Sequence, residues 1–397
     1  MAIIVGMGLG LDRDLPVAVQ NAVRQAKANV HQSYRIHLAI VFSTIEFASP
    51  QVLKTLYALL GQVHIVGASS LGIITNQGIF RHGLAIMLLS FPKNIFCSTS
   101  FVQNISAKSS TNAGEELGEK LLFSFKNTQR DLGLVFSDGL IRDTSGFLYG
   151  LKERLGWSFP LAGACASDNY EFKKTFVYFN EQASSDAACG IIWGGKMNFG
   201  LGIKHGWKAL GQPRTVTKAT GNTIYEIDGQ NAVSVYKDYF DFDIYRLKSE
   251  LKRLSIMYPI GVYLEGEEEC LLRNVVSLEN DKALVCQGYV PEGSGIRLMI
   301  GTKESCLAAT QEALNEAKTN LLGRQADFVF VFDSIARYML LGRQAGKELD
   351  IIKQGLGKDV PIMGIYSFGE QAPLKAVNFQ GKVYFHNQTI SILGIGG

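Results

Sequence analysis

The sequence is poor in the features that mark secreted, zinc-binding or membrane-spanning proteins. Its six cysteines lie far apart and include no Cys-x-x-Cys pair, which argues against a zinc site and a disulfide framework. No stretch approaches the roughly 18 apolar residues that a bilayer-spanning helix needs. The amino terminus has no basic leader, and Asp12 and Asp14 interrupt its apolar run. These features predict a cytoplasmic protein with no membrane partner.

Charge of either sign is also sparse. Charged residues make up 19% of the chain, the formal net charge is +3, and the lysines and arginines are scattered. A nucleic-acid-binding surface needs a basic cluster, so no nucleic-acid partner is expected. By contrast, 47% of the 397 residues are hydrophobic, which is typical of well-packed domains, and the length predicts about two of them.

What the sequence does contain is an internal repeat. Three apolar runs end in small polar or acidic residues, at Ala39–Thr44, Gly133–Asp138 and Val329–Ser334. A second short run follows each of them, and its glycine lies 25, 27 and 32 residues after the phenylalanine of the first run, at Gly67, Gly163 and Gly364. Because a repeated sequence pattern indicates a repeated structural unit, the repeat predicts a chain built from tandem α/β units.

Each repeat has the length of a βαβ unit and is closed by a third apolar strand. The closing strands are predicted at Ala85–Phe91, Ala187–Gly195 and Thr389–Gly397. An initial strand and an Ala-rich helix precede each first run, and for the third repeat they are predicted at Ile296–Gly301 and Ala308–Leu322. The predicted fold class is therefore α/β, with tandem βαβ-type repeats.

A segment of different character separates the second and third repeats. Residues 196–295 consist of short alternating strands and turns rich in Gly, Asn and Asp, with hairpin-like alternation at Asn198–Leu210 and Thr215–Ile227. We expect this insertion to be β-rich. The predicted domains are residues 1–200, with two repeats, and residues 201–397, with the insertion and the third repeat.

Catalytic and cofactor motifs are nearly absent. Gly6-x-Gly8-x-Gly10 lacks the spacing of a dinucleotide-binding turn, and no Gly-x-Ser-x-Gly elbow occurs. Ser249 and Lys252 have the spacing of a serine–lysine pair, but they lie in a charged helical stretch that is typical of a solvated face. The sequence predicts no cofactor and no catalytic residue.

Polar residues at the strand ends are the best candidates for a site. Ligands of open α/β sheets bind beyond the carboxyl ends of the strands. Arginines there suit a carboxylate, and Asp138 or Glu370 suits an ammonium group; an internal ion pair is the alternative role of these charges. The predicted ligand-binding residues are Ser137, Asp138, Arg142, Asp333, Arg337, Tyr366, Ser367 and Glu370.

Several motifs together resemble the FIST family of sensory domains. Those of the carboxy-terminal half are Tyr225–Ala232, Leu272–Val275, Tyr289–Gly293, Val331–Arg337, Gly364–Pro373 and His386–Thr389. Those of the amino-terminal half are Val41–Ser43, Val66–Ser69, Gly133–Gly139 and Leu161–Ala164. The resemblance covers nearly the whole chain and implies FIST N and FIST C domains of a bacterial intracellular sensor. In such proteins these domains bind small ligands, amino acids among them, and act with histidine kinases, chemoreceptors or cyclic-dinucleotide enzymes.

The resulting hypothesis is a non-enzymatic sensor that binds a small polar ligand and signals through a separate partner, since the chain has no room for an output domain. One alternative is a small-molecule enzyme with Cys165 or Ser69 as nucleophile and Glu370 or His386 as base. Another is a scaffold whose repeats serve only protein contact. The sequence leaves the ligand's identity and the oligomeric state open.

Overall fold

Two complete repeats form the first half of the computed structural model, which describes residues 2–125, 129–267, 269–357, 359–374 and 382–396. The first repeat comprises β1 (Ile4–Gly10), α1 (Leu15–Ala28), β2 (Leu38–Thr44), α2 (Pro50–Leu60), β3 (His64–Ser70), β4 (Ile73–Thr75), β5 (Gly78–Phe80) and β6 (Leu84–Ser90). The second comprises β7 (Phe96–Gln103), α3 (Ser110–Leu122), β8 (Arg130–Ser137), α4 (Thr144–Leu155), β9 (Leu161–Cys165), β10 (Val177–Phe179), β11 (Gln182–Ser184) and β12 (Ala187–Gly194). The two repeats have the same elements in the same order.

The third repeat is interrupted by the insertion. It begins with β13 (Asn198–Lys204). The insertion follows, with β14 (Lys208–Thr220), β15 (Thr223–Ile227), β16 (Gln230–Asn231), α5 (Ser234–Phe240), α6 (Ile244–Met257), β17 (Ile260–Tyr263), β18 (Cys270–Arg273), β19 (Val275–Glu279), β20 (Ala283–Cys286) and β21 (Gly295–Ile300). The repeat resumes with α7 (Lys303–Asn320), β22 (Phe328–Ser334), α8 (Ile335–Leu341), α9 (Gly346–Leu356), β23 (Ile362–Ser367), β24 (Glu370–Pro373), β25 (Val383–His386) and β26 (Ile390–Gly396). Gly397, the last residue of the predicted closing strand, lies outside the described residues.

The strand predicted to open the third repeat is wrong. Ile296–Gly301 corresponds to β21, which pairs with β14 and β17 inside the insertion, whereas β13 pairs with the closing strand β26. The hairpin-like alternation predicted at Asn198–Leu210 is therefore also wrong, because β13 pairs with β26 of the repeat, whereas Thr215–Ile227 does coincide with the hairpin of β14 and β15. The insertion separates β13 from its helix, so adjacency in the sequence pointed to a neighbouring apolar strand instead.

Glycines in the opening strands support this assignment. A Cβ at Gly8 of β1 would lie 1.8 Å from the carbonyl oxygen of Ala22 in α1, and a Cβ at Gly202 of β13 would lie 1.8 Å from that of Ala313 in α7. Each strand therefore packs directly on the backbone of its helix. The glycines that superficially suggest a nucleotide-binding turn serve close helix–strand packing.

Each repeat forms one sheet, and the repeats exchange hairpins. The sheet orders are β1-β6-β2-β3, β7-β12-β8-β9 and β13-β26-β22-β23, with the last two strands of each parallel. Hairpin β4–β5 extends the third sheet, β10–β11 extends the first, and β24–β25 extends the second. Every repeat thus completes the sheet of another one. The predicted α/β fold with three repeats and a β-rich insertion is confirmed. Among the residues described, no helix is both long and apolar enough to cross a membrane.

The core contains one equivalent phenylalanine from each repeat. The ring of Phe42 lies 5.3 Å from that of Phe136 and 6.4 Å from that of Phe332, and the last two are 5.9 Å apart, all edge to face. Side chains alternate across a strand, so the next residue of each first run points away from this contact. These residues are Ser43, Ser137 and Asp333.

The marker glycines of the second runs leave room for a neighbouring backbone. A Cβ would lie 1.8, 2.0 and 2.1 Å from the valine carbonyl oxygen of the adjacent strand at Gly67, Gly163 and Gly364, respectively. None of the three has a positive φ. Glycine is therefore required there because of space and not because of backbone angle.

We expect Gly163→Ala to lower the free energy of unfolding by about 2 kcal/mol, because the added methyl group forces β8 and β9 apart. Urea denaturation followed by circular dichroism measures this. The control is Gly346→Ala in α9, where nothing lies within 4 Å of an added Cβ and alanine favours the helix by about 0.5–1 kcal/mol. Equal stability of the two variants would contradict the assignment.

Candidate functional site

A cleft of about 560 Å³ lies where the second repeat, the insertion and the third repeat meet. Its lining includes the segment that follows β8, part of α6 of the insertion and the residues around Asn274. Ser334 and Ser367, at the ends of β22 and β23, also line it. The cleft therefore lies beyond the carboxyl ends of adjacent strands, where ligands of α/β sheets bind.

A loop of the second repeat places two aromatic rings in the cleft. The buried carboxylate of Asp168 accepts four backbone N–H groups of residues 171–174 at 2.8–3.2 Å. Tyr170 and Phe172 have φ angles of 65° and 56°, which are unfavourable for residues other than glycine. The ring of Phe172 stacks on that of Phe368, with centroids 4.3 Å apart. The Asp168 hydrogen bonds therefore hold the loop in a conformation that fixes the aromatic wall.

The charged groups in the cleft are all cationic. Arg142, Lys248 and Lys252 line it, and no Asp or Glu does among the residues that the structure describes. Lys252 Nζ donates to the carbonyl of Tyr170 at 3.2 Å and lies 4.0 Å from the centre of its ring. Lys248 pairs with Asp281 at 2.6 Å, but both side chains are 49% exposed, so water screens this pair. The cleft consequently has a positive potential.

A network of amides forms the neutral part of the lining. Asn274 donates to Gln287 Oε1 at 3.1 Å, and Gln287 Nε2 donates to the carbonyl of Phe368 at 2.7 Å. Gln388, behind them, donates to Asn274 Oδ1 and, at 2.7 Å, to the carbonyl of Ser255. These bonds connect the insertion to the third repeat and fix the amide orientations.

A buried arginine lies directly beneath this lining. Arg273 is 2% exposed and donates to the carbonyls of Leu272, Tyr289 and Phe385 at 2.9–3.1 Å. A Cβ at Gly288, which lines the cleft, would lie 3.2 Å from Arg273 Nε. Burial lowers the pKa of Arg273 to about 10, so it stays charged at neutral pH. Within the described chain it has no carboxylate partner, and its charge adds to the positive potential.

Two of the eight predicted residues, Arg142 and Ser367, line the cleft. Ser137 lies buried behind it, where its Oγ accepts a hydrogen bond from Gln371 Nε2 at 2.7 Å. The carboxylate of Asp138 accepts from Thr175 Oγ1 and from the backbone N–H groups of Leu140 and Asp186. Burial raises the pKa of Asp138 despite these bonds. Ser137 and Asp138 thus contact protein groups around their strand end.

Asp333 and Arg337 belong to a buried ion-pair network. Arg337 is fully buried and donates to Asp333 Oδ1 at 3.0 Å, to Glu348 Oε1, and to Thr310 Oγ1 at 2.8 Å. It also donates to the carbonyls of His205 and Cys306 at 2.6 and 2.9 Å. Burial, followed by the charge of Glu348, raises the pKa of Asp333 well above its usual range. The internal ion pair left open by the sequence is present in the structure.

The other two predicted residues are buried near this network. Glu370 accepts from Ser367 Oγ at 2.5 Å, Thr389 Oγ1 at 2.5 Å and Thr389 N at 3.2 Å, and burial raises its pKa to about 7. Tyr366 is 1% exposed and borders a small void beside Asp333. The ligand-binding roles of all eight residues stay predictions.

Cys165 and Ser69, the two candidate nucleophiles, contact protein groups other than the predicted bases. Cys165 Sγ lies 3.3 Å from both Ser137 Oγ and Gln371 Nε2, and burial raises its pKa to about 11, which keeps the thiol protonated. Ser69 Oγ donates to the carbonyl of Ser167 and accepts from Phe176 N, both at 2.9 Å. In the described structure neither one hydrogen-bonds to Glu370 or His386.

The loop aromatics and the cations of α6 are not among the residues predicted from the sequence. Lys248 and Lys252 were interpreted as part of a solvated face, and their charge pattern gives no reason to place them opposite Tyr170. The only sequence signal was Leu272–Val275, which contains Arg273 and Asn274 and resembles a family landmark. Tyr170 and Phe172 carry no motif at all.

Comparison with solved structures gives only distant likenesses. A cyanuric acid hydrolase from A. caulinodans aligns over 99% of both chains with 8% identity and a TM-score of 0.40. A second cyanuric acid hydrolase structure, titled as an evolutionary innovation by structural concatenation, aligns over 99% of this chain with 7% identity and a TM-score of 0.38. At these scores neither structure supports a conclusion about this chain.

The sequence comparisons are more informative. An uncharacterized protein of Methanocaldococcus jannaschii, MJ1623, is 23% identical over 364 residues, which cover 81% of this chain and 67% of that protein. The model of the FIST N domain matches residues 37–230, and that of the FIST C domain matches residues 232–373. Together these matches span most of the chain and confirm the resemblance seen in its motifs. The chain belongs to the FIST family.

Proposed function

We propose that this protein is a non-enzymatic sensor whose small polar ligand binds in the cleft. FIST domains are sensory domains of signal transduction proteins and bind small ligands. The observation that carries the proposal is that the second repeat, the insertion and the third repeat all contribute walls to one cleft. A ligand there contacts all three parts at once. Amino acids are among the candidate ligands.

Signalling then follows from a change in the contact across the cleft. Lys252 of α6 contacts the carbonyl and the ring of Tyr170 in the second repeat. A ligand that inserts between α6 and Tyr170 changes the position of α6 relative to the second repeat, provided that it binds one arrangement better than the other. We propose that a separate cytoplasmic partner, a histidine kinase, a chemoreceptor or a cyclic-dinucleotide enzyme, reads this change.

The absence of catalysis is part of the same proposal. It is supported by the protonated Cys165 thiol and by the backbone contacts that occupy the Ser69 hydroxyl. A nucleophile needs a base within about 3 Å to lose its proton. The ligand is therefore expected to leave the cleft chemically unchanged.

We expect at least one member of a panel of amino acids and small carboxylates to raise the melting temperature. A ligand at 100 times its Kd stabilises the fold by about 2.7 kcal/mol. Val276→Trp should strongly reduce the shift, since Val276 is 50% exposed and lines the cleft, so the larger ring takes up part of the space that the ligand needs. Differential scanning fluorimetry measures the shift, and mass spectrometry should recover the ligand intact.

The control is Val17→Trp on α1, where the valine is 40% exposed and is not part of the cleft lining. It should keep the full shift. A shift that persists in Val276→Trp would place the ligand elsewhere. If the wild type converts the ligand to a product and Cys165→Ala does not, the protein is an enzyme, and the proposal of a non-enzymatic sensor is wrong.

A further inference from the structure

We infer that the cleft selects an anion carried on a flat ring, that is, an aromatic or heteroaromatic carboxylate or phosphate. This inference rests on the proposed function, because it names the class of ligand for the same cleft. It is carried by three features of the lining: its charge, the buried cation behind it, and its aromatic surface.

The charge of the lining has a single sign. Within the described chain, Arg142 is exposed and neither Arg142 nor Lys252 forms an ion pair, although Lys252 contacts the carbonyl and ring of Tyr170. Lys248 shares its charge with an exposed Asp281. Guanidinium and ammonium groups in this arrangement bind carboxylate or phosphate oxygens. An anionic group is therefore held more strongly than a neutral one.

The buried Arg273 reinforces this preference. Among the residues that the structure describes, its hydrogen bonds go to three carbonyl oxygens and it forms no ion pair with a carboxylate. A buried cation without a counter-ion is costly unless an anion lies near it. Because Arg273 lies behind Gly288 of the lining, a bound anion would supply that missing charge at short range.

The aromatic wall suits a planar group. The Phe172 and Phe368 rings are stacked with an angle of 8° between their planes, and Phe172 remains 41% exposed. Tyr170 packs 5.1 Å from Phe172 and carries Lys252 over its ring. A flat ring can therefore stack on this wall with its anionic substituent near the cations, and stacking between aromatic rings adds about 0.5–1.5 kcal/mol.

Within the described structure the same lining offers no carboxylate to pair with an ammonium group. The Asp138 carboxylate is occupied by Thr175 and two backbone N–H groups, and that of Glu370 by Ser367 and Thr389. Neither carboxylate lines the cleft. A zwitterionic amino acid would thus leave its ammonium group facing cations, which disfavours it relative to a simple aromatic acid.

The test is isothermal titration calorimetry with matched probes: benzoate against benzamide, indole-3-carboxylate against indole-3-carboxamide, cyclohexanecarboxylate against benzoate, and AMP against adenosine. We expect a ring-bearing anion to bind at least tenfold more tightly than its neutral or non-planar match. The indole-3-carboxylate and AMP arms distinguish a carboxylate from a phosphate. Affinity should fall as NaCl rises from 50 to 500 mM, because salt screens the cations.

Matched variants locate the effect. Arg142→Gln combined with Lys252→Gln should weaken binding of the preferred anion at least tenfold, whereas Lys54→Gln on the exposed face of α2 should leave it unchanged. Equal binding of neutral and anionic probes overturns the inference. Binding of zwitterionic amino acids without binding of the flat-ring anions also overturns the inference, but it leaves the proposed sensor function intact. If neither the amino acids and small carboxylates nor the flat-ring anions bind, both the inference and the proposed function are wrong.

Discussion

Arg337→Met is expected to lower the free energy of unfolding by about 3–5 kcal/mol, because it leaves buried carboxylates without their cation. Asp333 and Glu348 are 1% and 3% exposed, so bulk solvent does not replace the guanidinium when it is removed. Glu348 Oε2 already lacks a hydrogen-bond partner in the described structure. Methionine fills much of the volume of arginine but carries no charge. We therefore expect this substitution to cause the largest loss of folding stability among the variants considered.

Chemical denaturation with circular dichroism measures the loss, and Arg343→Met, at an exposed arginine, should change stability by less than about 0.5 kcal/mol. Adding Asp333→Asn and Glu348→Gln to Arg337→Met should restore part of the stability, because the remaining network is neutral. A single variant as stable as the wild type would show that the ion pair contributes little.

Variants of Arg337 are unsuitable for locating the ligand, because they disturb the buried network beneath the strand ends. Loss of binding in an Arg337 variant does not identify Arg337 as a ligand contact, since the ends of β22 and β23 depend on the same network. Variants at exposed lining residues such as Arg142 and Val276 avoid the difficulty. They change the cleft without changing the core.

The second large effect is a pH dependence of stability that belongs to Glu370. Its pKa is about 7 in the folded chain against 4.5 as the ordinary value, with burial as the main cause. Between these values the folded state holds a proton that the unfolded state has released, so stability falls as pH rises from 4.5 to 7. The loss amounts to about 3 kcal/mol and is absent below pH 4.5.

We expect Glu370→Gln to remove this loss, so that the stability of the variant relative to wild type increases by about 3 kcal/mol between pH 4.5 and 7. The difference between the two curves isolates Glu370. The comparison with the variant is needed because His386 has the opposite pH dependence. Burial lowers the pKa of His386 to about 3, so its contribution to folding stability decreases as pH falls below 6.5.

Denaturation curves at half-unit pH steps measure the difference. Glu181→Gln, at an exposed glutamate, serves as the control and should track the wild type at all pH values. A difference curve for Glu370→Gln that stays flat from pH 4 to 8 would mean that burial does not raise the pKa of Glu370, because the carboxylate would then titrate alike in the folded and unfolded chains.

Much of the fold follows from local patterns in the sequence. The strands that end at Thr44, Ser137 and Ser334 were predicted from apolar runs, and α2 begins at Pro50 behind the cap Ser49 as its sequence indicates. Short-range periodicity and capping act within a few residues, so they can be detected in a single sequence. The insertion separates β13 from α7 along the chain, so local patterns do not connect this strand with its helix. The prediction of the strand that opens the third repeat was wrong for that reason.

The site was predictable only in part, for the same reason. Arg142 and Ser367 were predicted because Ser367 ends a strand and Arg142 lies a few residues after one, positions that the chain order fixes. Lys252 and Tyr170 are 82 residues apart and meet only because the insertion folds over the second repeat. No periodicity in either segment encodes that contact.

The sequence by itself determined the repeated α/β units, their marker glycines, the β-rich insertion and the family. Each depends on interactions between near neighbours or on a spacing repeated along the chain. Only the tertiary structure decided that hairpins pass between repeats, that Arg337 is enclosed by Asp333 and Glu348, and that the cations of α6 face an aromatic loop. Those features depend on packing between distant segments, and the free energy of that packing is shared among many residues with no common local pattern.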